Sequence, residues 1–168
     1  MSISLYDFSI PALIRGLTNM SAILDKAIAH ATAKKIESAT LAQLRLFPDM
    51  HPLSRQVQIA CDTAKGAAGR LAAVEIPKHE DTETTLPELK ARIAKTVVFI
   101  QTVSAEQIDG SEEREITLTA GGQELSFKGM PYLIGFALPN FYFHLVTAYN
   151  ILRHNGVDIG KRDFMGKL

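Results

Sequence analysis

Asn140 and His144 stand four residues apart in the run PNFYFHLVTAYNILRHNG, residues 139–156. On a helix that spacing stacks an amide over an imidazole on one face. Such a pair can share a water, a polar ligand or a metal ion. Spacing alone favours a structural reading, with Asn140 as a helix cap and His144 as a core histidine bonded to a carbonyl. A second polar group lies upstream in QVQIACD, where Gln56 and Gln58 flank an apolar stripe and Asp62 follows Gln58 by four residues. Asp62 either joins a site or pairs with Lys65 on the surface. Tyr142 and Tyr149 offer hydroxyl donors on the same helix as His144. Cys61, set among alanines, reads as an inert buried thiol rather than a nucleophile. His51 lies in a proline-bounded loop and is a poor substitute ligand, and His30 reads as a surface or half-buried histidine.

These residues need elements to hold them. From Phe141 to Leu152 apolar residues fall almost all round a helical wheel, so this helix is buried on several sides, in a bundle centre or at a subunit interface. Pro139 and Asn140 punctuate its start; Arg153, His154 and Asn155 before Gly156 close it, with Val157 as the apolar contact of the cap. A first helix is expected from Ser9 as cap, with Pro11 in its first turn, to about Ile36; Leu13, Leu17, Met20, Leu24, Ala27 and Ala31 form its stripe. Residues 40–47 predict a short helix or turn, and Pro48 and Pro52 break the chain after it. A second helix is expected over 53–74, with Val57, Cys61, Ala64, Ala68 and Leu71 inward and enough alanine and glycine for a close neighbour. Residues 76–84 predict a solvated crossing loop; His79, Glu80 and Asp81 are contiguous there and lack ligand geometry. Thr85 and Glu88 form a capping box for a third helix running to about Val103, with Leu89, Ile93, Thr96, Val97 and Ile100 inward. REITLTAGGQELSFK, residues 114–128, alternates on both sides of Gly121-Gly122. A two-residue turn there sets Leu118 opposite Leu125 and Ile116 opposite Phe127. This hairpin must pack on the bundle or on another subunit. In the tail, Phe164 and Met165 are the expected anchors.

The ILRHNGV segment resembles the end of the last bundle helix of DinB/YfiT-like proteins. Those are four-helix bundles, many of which bind a divalent metal through three histidines. Two of the three lie four apart on the last helix, ahead of a comparable Leu-Arg and glycine ending. The resemblance sets His144 on the second of that pair and Asn140 on the first. The third ligand belongs to the second helix, where QVQIACD has no histidine. The resemblance therefore implies one ligand of three and no resident metal; a divalent ion, if bound, would use His144. Matching the Arg70-Leu71-Ala72 ending to the family sets Gln58 in place of the missing histidine, whereas helical periodicity puts Gln56 nearer the apolar side, and the choice stays open. PNFYFH and GKRDFMG carry a closer resemblance, nearly end to end, to an uncharacterised domain-of-unknown-function branch of the superfamily.

With 168 residues the chain is read as one domain, 1–168, with room for a substantial core. Eighteen basic and eighteen acidic side chains cancel, so no global field favours nucleic acid or an anionic membrane surface. A lone cysteine forms no internal disulfide and suits a cytoplasmic setting. The opening MSISLYDFS has no basic segment ahead of a long apolar one, and no run is of membrane-spanning length. There is no phosphate-cradling glycine loop, paired-cysteine zinc pattern or Gly-x-Ser-x-Gly elbow. The expectation is a mainly α, DinB-like bundle of up-and-down type, with a β-hairpin between its third and fourth helices, forming a homodimer. Its function is expected to be small-ligand binding or sensing in a pocket between the second and fourth helices, lined by Gln56 or Gln58, Asp62, Asn140, His144 and Tyr149. The alternatives are a metal-dependent transferase or hydrolase, which would be the enzyme case, and a structural dimer without catalysis.

Overall fold

The structure, a computed structural model, describes residues 4–167; Met1, Ser2 and Ile3 of the opening stretch lie outside the described residues. Four long helices form the bundle: α1 (Leu5–Lys34), α3 (Leu53–Ala72), α4 (Leu86–Gln101) and α7 (Leu138–His154). Short helices α2 (Ser38–Ala42), α5 (Ala105–Ile108), α6 (Gly129–Tyr132) and α8 (Lys161–Met165) occupy the connections and the tail. Strands β1 (Glu115–Ala120) and β2 (Gln123–Lys128) form an antiparallel hairpin between α4 and α7.

The helices are arranged in the ring α1–α4–α3–α7, each packed on its two ring neighbours. Helices consecutive in the chain, α1 with α3 and α4 with α7, therefore sit on the diagonals. That corrects the expected up-and-down adjacency, and the reason is connection length: α2 with its loops, and the hairpin segment, are long enough to cross an end of the bundle.

Helix α1 starts earlier than Ser9. Ser4 caps it, accepting a hydrogen bond from the Asp7 N–H at 3.1 Å. Ser9 lies inside the helix, its Oγ donating to the Leu5 carbonyl at 2.7 Å, and Pro11 is tolerated two residues further on. Burial of Leu5 and Ile10 extends the helix back past the weaker signal. The short helix expected over 40–47 forms instead at Ser38–Ala42. Thr85 and Glu88 make the capping box of α4 as expected. Gly16 marks the closest approach of α1 to α7, since a Cβ there would meet the Phe141 ring at 2.8 Å.

The hairpin has the expected register, Leu118 opposite Leu125 and Ile116 opposite Phe127, turning at Gly121 and Gly122 with φ of +57° and +78°. It packs on its own chain: Ile116 is buried, and the Phe127 ring lies 5.5 Å from Phe136 and 6.0 Å from Tyr132. The last bundle helix does not begin at Pro139. It continues from α6 through a π-helical turn, Leu133–Ala137, in which the Leu138 N–H reaches the Leu133 carbonyl. Pro139 lacks an N–H and crowds the carbonyl four residues back, and the wide turn accommodates both.

Candidate functional site

Helix α3 runs between α4 and α7, and its polar residues divide between the two. Gln56 and Thr63 are seven apart and share the face toward α7; Gln58, Asp62 and Lys65 form a stripe toward α4.

On the α7 face, Gln56 is buried and its Oε1 lies 2.6 Å from His144 Nδ1. The Gln56 Nε2 donates to the His51 carbonyl at 3.0 Å, which turns Oε1 toward the imidazole. An amide oxygen only accepts, so His144 Nδ1 carries the proton and donates. Nε2 is then left with its lone pair, and it has no hydrogen-bond partner among the described residues. Burial lowers the His144 pKa to about 4, helped by the proximity of His51 and the Arg55 guanidinium, so the ring is neutral at pH 7. One turn up, the Asn140 Nδ2 donates to Thr63 Oγ1 at 2.8 Å. Asn140 is thus a cross-helix partner, not a cap, because the helix runs through Pro139. The result is an uncharged ladder offering a fixed basic nitrogen and an amide.

The α4 face is ionic. Arg92 is wholly buried and donates to Glu83 at 3.0 Å and Asp62 at 2.8 Å, and to the Glu80 carbonyl at 3.0 Å; Asp81 lies 2.9 Å away. Its Nε has no partner. Burial opposes the charge, but the carboxylates of Asp62 and Glu83 outweigh it and raise the Arg92 pKa. Asp62 also takes the buried Lys65 ammonium at 2.9 Å, Gln58 Nε2 donates to Glu83 at 3.1 Å, and Arg55 pairs with Asp81. The crossing loop is therefore fastened down over α3 and α4, where a solvated loop was expected: Glu80 gives Arg92 its carbonyl, and Glu83 is buried. Lys65 likewise lies under this cover, not on the surface.

The structure brings together Gln56, His144, Asn140 and Thr63, and sends Gln58 and Asp62 to the opposite side of the same helix. Gln56, which periodicity put nearer the apolar side, faces His144, and Gln58, which the match to the family ending favoured, faces Glu83. Tyr149 follows His144 by five residues and points round the helix to Phe164, ring centroids 5.9 Å apart. Sequence reasoning missed Arg92 and Glu83. Arg92 lies three residues after Leu89 and four before Thr96, on the inward stripe, and that position was the available signal. Cys61 is fully buried and burial pushes its thiol up to about 12, which makes it unreactive.

The three-histidine metal site carried by many bundles of the resembled family does not fit these side chains. No group of three or more His, Cys, Asp or Glu able to hold an ion occurs among the described residues. Where the ligands would be, Gln56 spends its carbonyl oxygen on His144, and Asn140 is turned to Thr63. One imidazole nitrogen with neutral amides is too weak a set for zinc or its neighbours.

Comparison with known proteins agrees with this architecture. The family model described as "Domain of unknown function (DUF1993)" matches residues 5–165. A DinB family member protein from Shewanella denitrificans, solved by crystallography, superposes with a TM-score of 0.87 at 42% identity, covering 98% of this chain and 93% of that one. No curated protein matches the sequence.

Proposed function

The chain belongs to the DUF1993 family of DinB-like bundles, and from that premise we propose that it binds or senses a small polar ligand at the α3–α7 seam. One observation carries the reading: Gln56 holds His144 as the neutral Nδ1–H tautomer, which leaves the Nε2 lone pair without a protein partner. A ligand O–H or N–H would donate to Nε2, while Asn140, one turn away and anchored through Nδ2 on Thr63, has its carbonyl oxygen left to accept. Binding needs no metal and no charge on the ring.

The test is nitrogen-resolved NMR of the imidazole combined with a thermal-shift screen of small polar metabolites. Expected are an Nδ1–H tautomer at pH 7 and a stabilising hit that moves the Nε2 resonance and is lost in His144→Ala. A screen whose hits all survive His144→Ala would refute the reading. Metal analysis of untagged protein runs in parallel: about one equivalent of zinc, nickel or iron, lost in the same variant, would replace it with a metal-dependent enzyme.

A homodimer is the second part of the proposal. It is supported by α7 leaving Phe143 56% and Val146 41% exposed on the surface. A cytoplasmic setting goes with it, in keeping with an unpaired buried cysteine. Sedimentation at micromolar concentration decides the assembly; a monomeric mass removes the dimer without touching the His144 reading.

A further inference from the structure

The tail helix α8 is tied to α1 by polar contacts, and its Phe164 packs against the core. Arg15 donates through Nε and Nη2 to the Met165 carbonyl at 3.2 and 2.8 Å, Asn19 Nδ2 donates to the Phe164 carbonyl at 3.0 Å, and Lys26 pairs with Asp163 at 2.7 Å. Between these ties and α7 lies a cavity of about 340 Å³. Its walls are mainly apolar: Met20 from α1, Tyr142 from α7, and Phe164 and Met165 from α8. Arg15 and Asn19 are its polar groups. That size and lining match the lower end of small-molecule pockets, apolar with a few placed polar groups.

The charge at its mouth is one-sided. A guanidinium has five N–H groups, and Arg15 uses two on Met165, leaving three directed elsewhere. An adjoining depression shares Asn19 and adds Arg162 and Lys167. Among the described residues none of these three cations forms an ion pair. The nearby carboxylate, Asp163, is committed to Lys26 and to the Gly160 N–H at 2.8 Å. Arg15 is thus the one charged group lining the cavity, and the cations of the depression beside it, Arg162 and Lys167, are left without ion-pair partners among the described residues. A planar fork beside apolar walls suits a carboxylate head carrying an apolar tail.

We propose that the α1–α7–α8 cavity is a second binding site, which takes an amphipathic carboxylate with its head on Arg15 and its tail between Met20, Tyr142 and Phe164. This site is separate from the His144 seam and does not depend on it. The test is an amide NMR titration of the full chain with sodium octanoate, using octan-1-ol and sodium acetate as the tail-only and head-only controls. Octanoate is expected to give saturable shifts at Tyr142, Phe164 and Met165, and to bind at least about tenfold more tightly than either control. Arg15→Gln should bring octanoate down to the level of octanol. Ala12→Phe, which fills the cavity from α1 and keeps the guanidinium, should abolish binding; it decides the matter if Arg15→Gln releases α8. Octanoate binding no tighter than octanol, unimpaired binding in Ala12→Phe, or shifts centred on His144 would each overturn the proposal.

Discussion

Along α3, the side facing α7 carries hydrogen bonds between uncharged groups, and the side facing α4 carries three carboxylates around a buried guanidinium. The two faces differ in what they leave open. On the ionic face both terminal nitrogens of Arg92 are used, and they clamp the crossing loop through Glu80, Asp81 and Glu83. On the neutral face Gln56 bonds both His144 and the His51 carbonyl, Asn140 bonds Thr63, and His144 keeps a free nitrogen. Buried charges must be compensated almost completely, whereas a neutral imidazole can tolerate one unused lone pair near the surface. The lesson is that burial of charge goes here with structural fastening, and burial of neutral polar groups with an unused acceptor.

The contrast can be broken hardest at Arg92. Arg92→Met leaves Glu83 buried without its cation and should destabilise the fold by about 3–5 kcal/mol in urea unfolding. Adding Glu83→Gln removes the second charge while keeping an acceptor for Gln58, so the double variant should be more stable than the single one. The neutral face should instead respond to acid. Because the folded His144 pKa, about 4, lies below the unfolded value near 6.5, the unfolded chain binds the extra proton between those limits. Stability is then full above about pH 6.5 and falls by about 3 kcal/mol as the pH drops to about 4, a slope that His144→Ala should flatten. At pH 7 that same variant should lose about 2–3 kcal/mol, from the missing ring and the unpaired Gln56 oxygen. Asn140→Ala, removing one half-buried bond to Thr63, should lose about 1 kcal/mol. Lys95→Ala, at the exposed rim of the ionic face and 4.0 Å from Glu83, should change stability by less than about 0.5 kcal/mol.

Features fixed by local rules could be read from the residues alone. The Gly121-Gly122 turn set the hairpin register, and the Thr85–Glu88 box started α4. Features fixed by competition between distant groups could not. Asn140 has the residue type and setting of a cap, yet the π turn carries the helix past Pro139 and gives its amide to Thr63. The diagonal placement of consecutive helices depends on connections long enough to permit either ring order, so nothing in their composition selects one. Arg92 lies on an inward stripe, but its partners Asp62, Asp81 and Glu83 come from two other segments, and no local pattern joins them. The neutral face was half legible for the same reason: His144 and Asn140 share one helix, while the parts played by Thr63 and by Gln56 rather than Gln58 are set by how α3 docks.

The π turn at Leu133–Ala137 also has a geometric consequence. It holds one residue more than an α-helical turn, and one residue is worth about 100° of rotation about the helix axis. Everything before it is therefore out of phase with everything after it. Tyr132 and Phe136, at the start of and within the turn, back the hairpin, and Phe141 and Leu145 beyond it fill the bundle. Gly135 is exposed within that turn and has no neighbour near the place a side chain would occupy. Deleting it would leave the composition of both aromatic and aliphatic faces untouched and still swing the β-ribbon around the bundle. The position of the ribbon is in that sense a matter of counting, set by the number of residues in the turn more than by their chemistry.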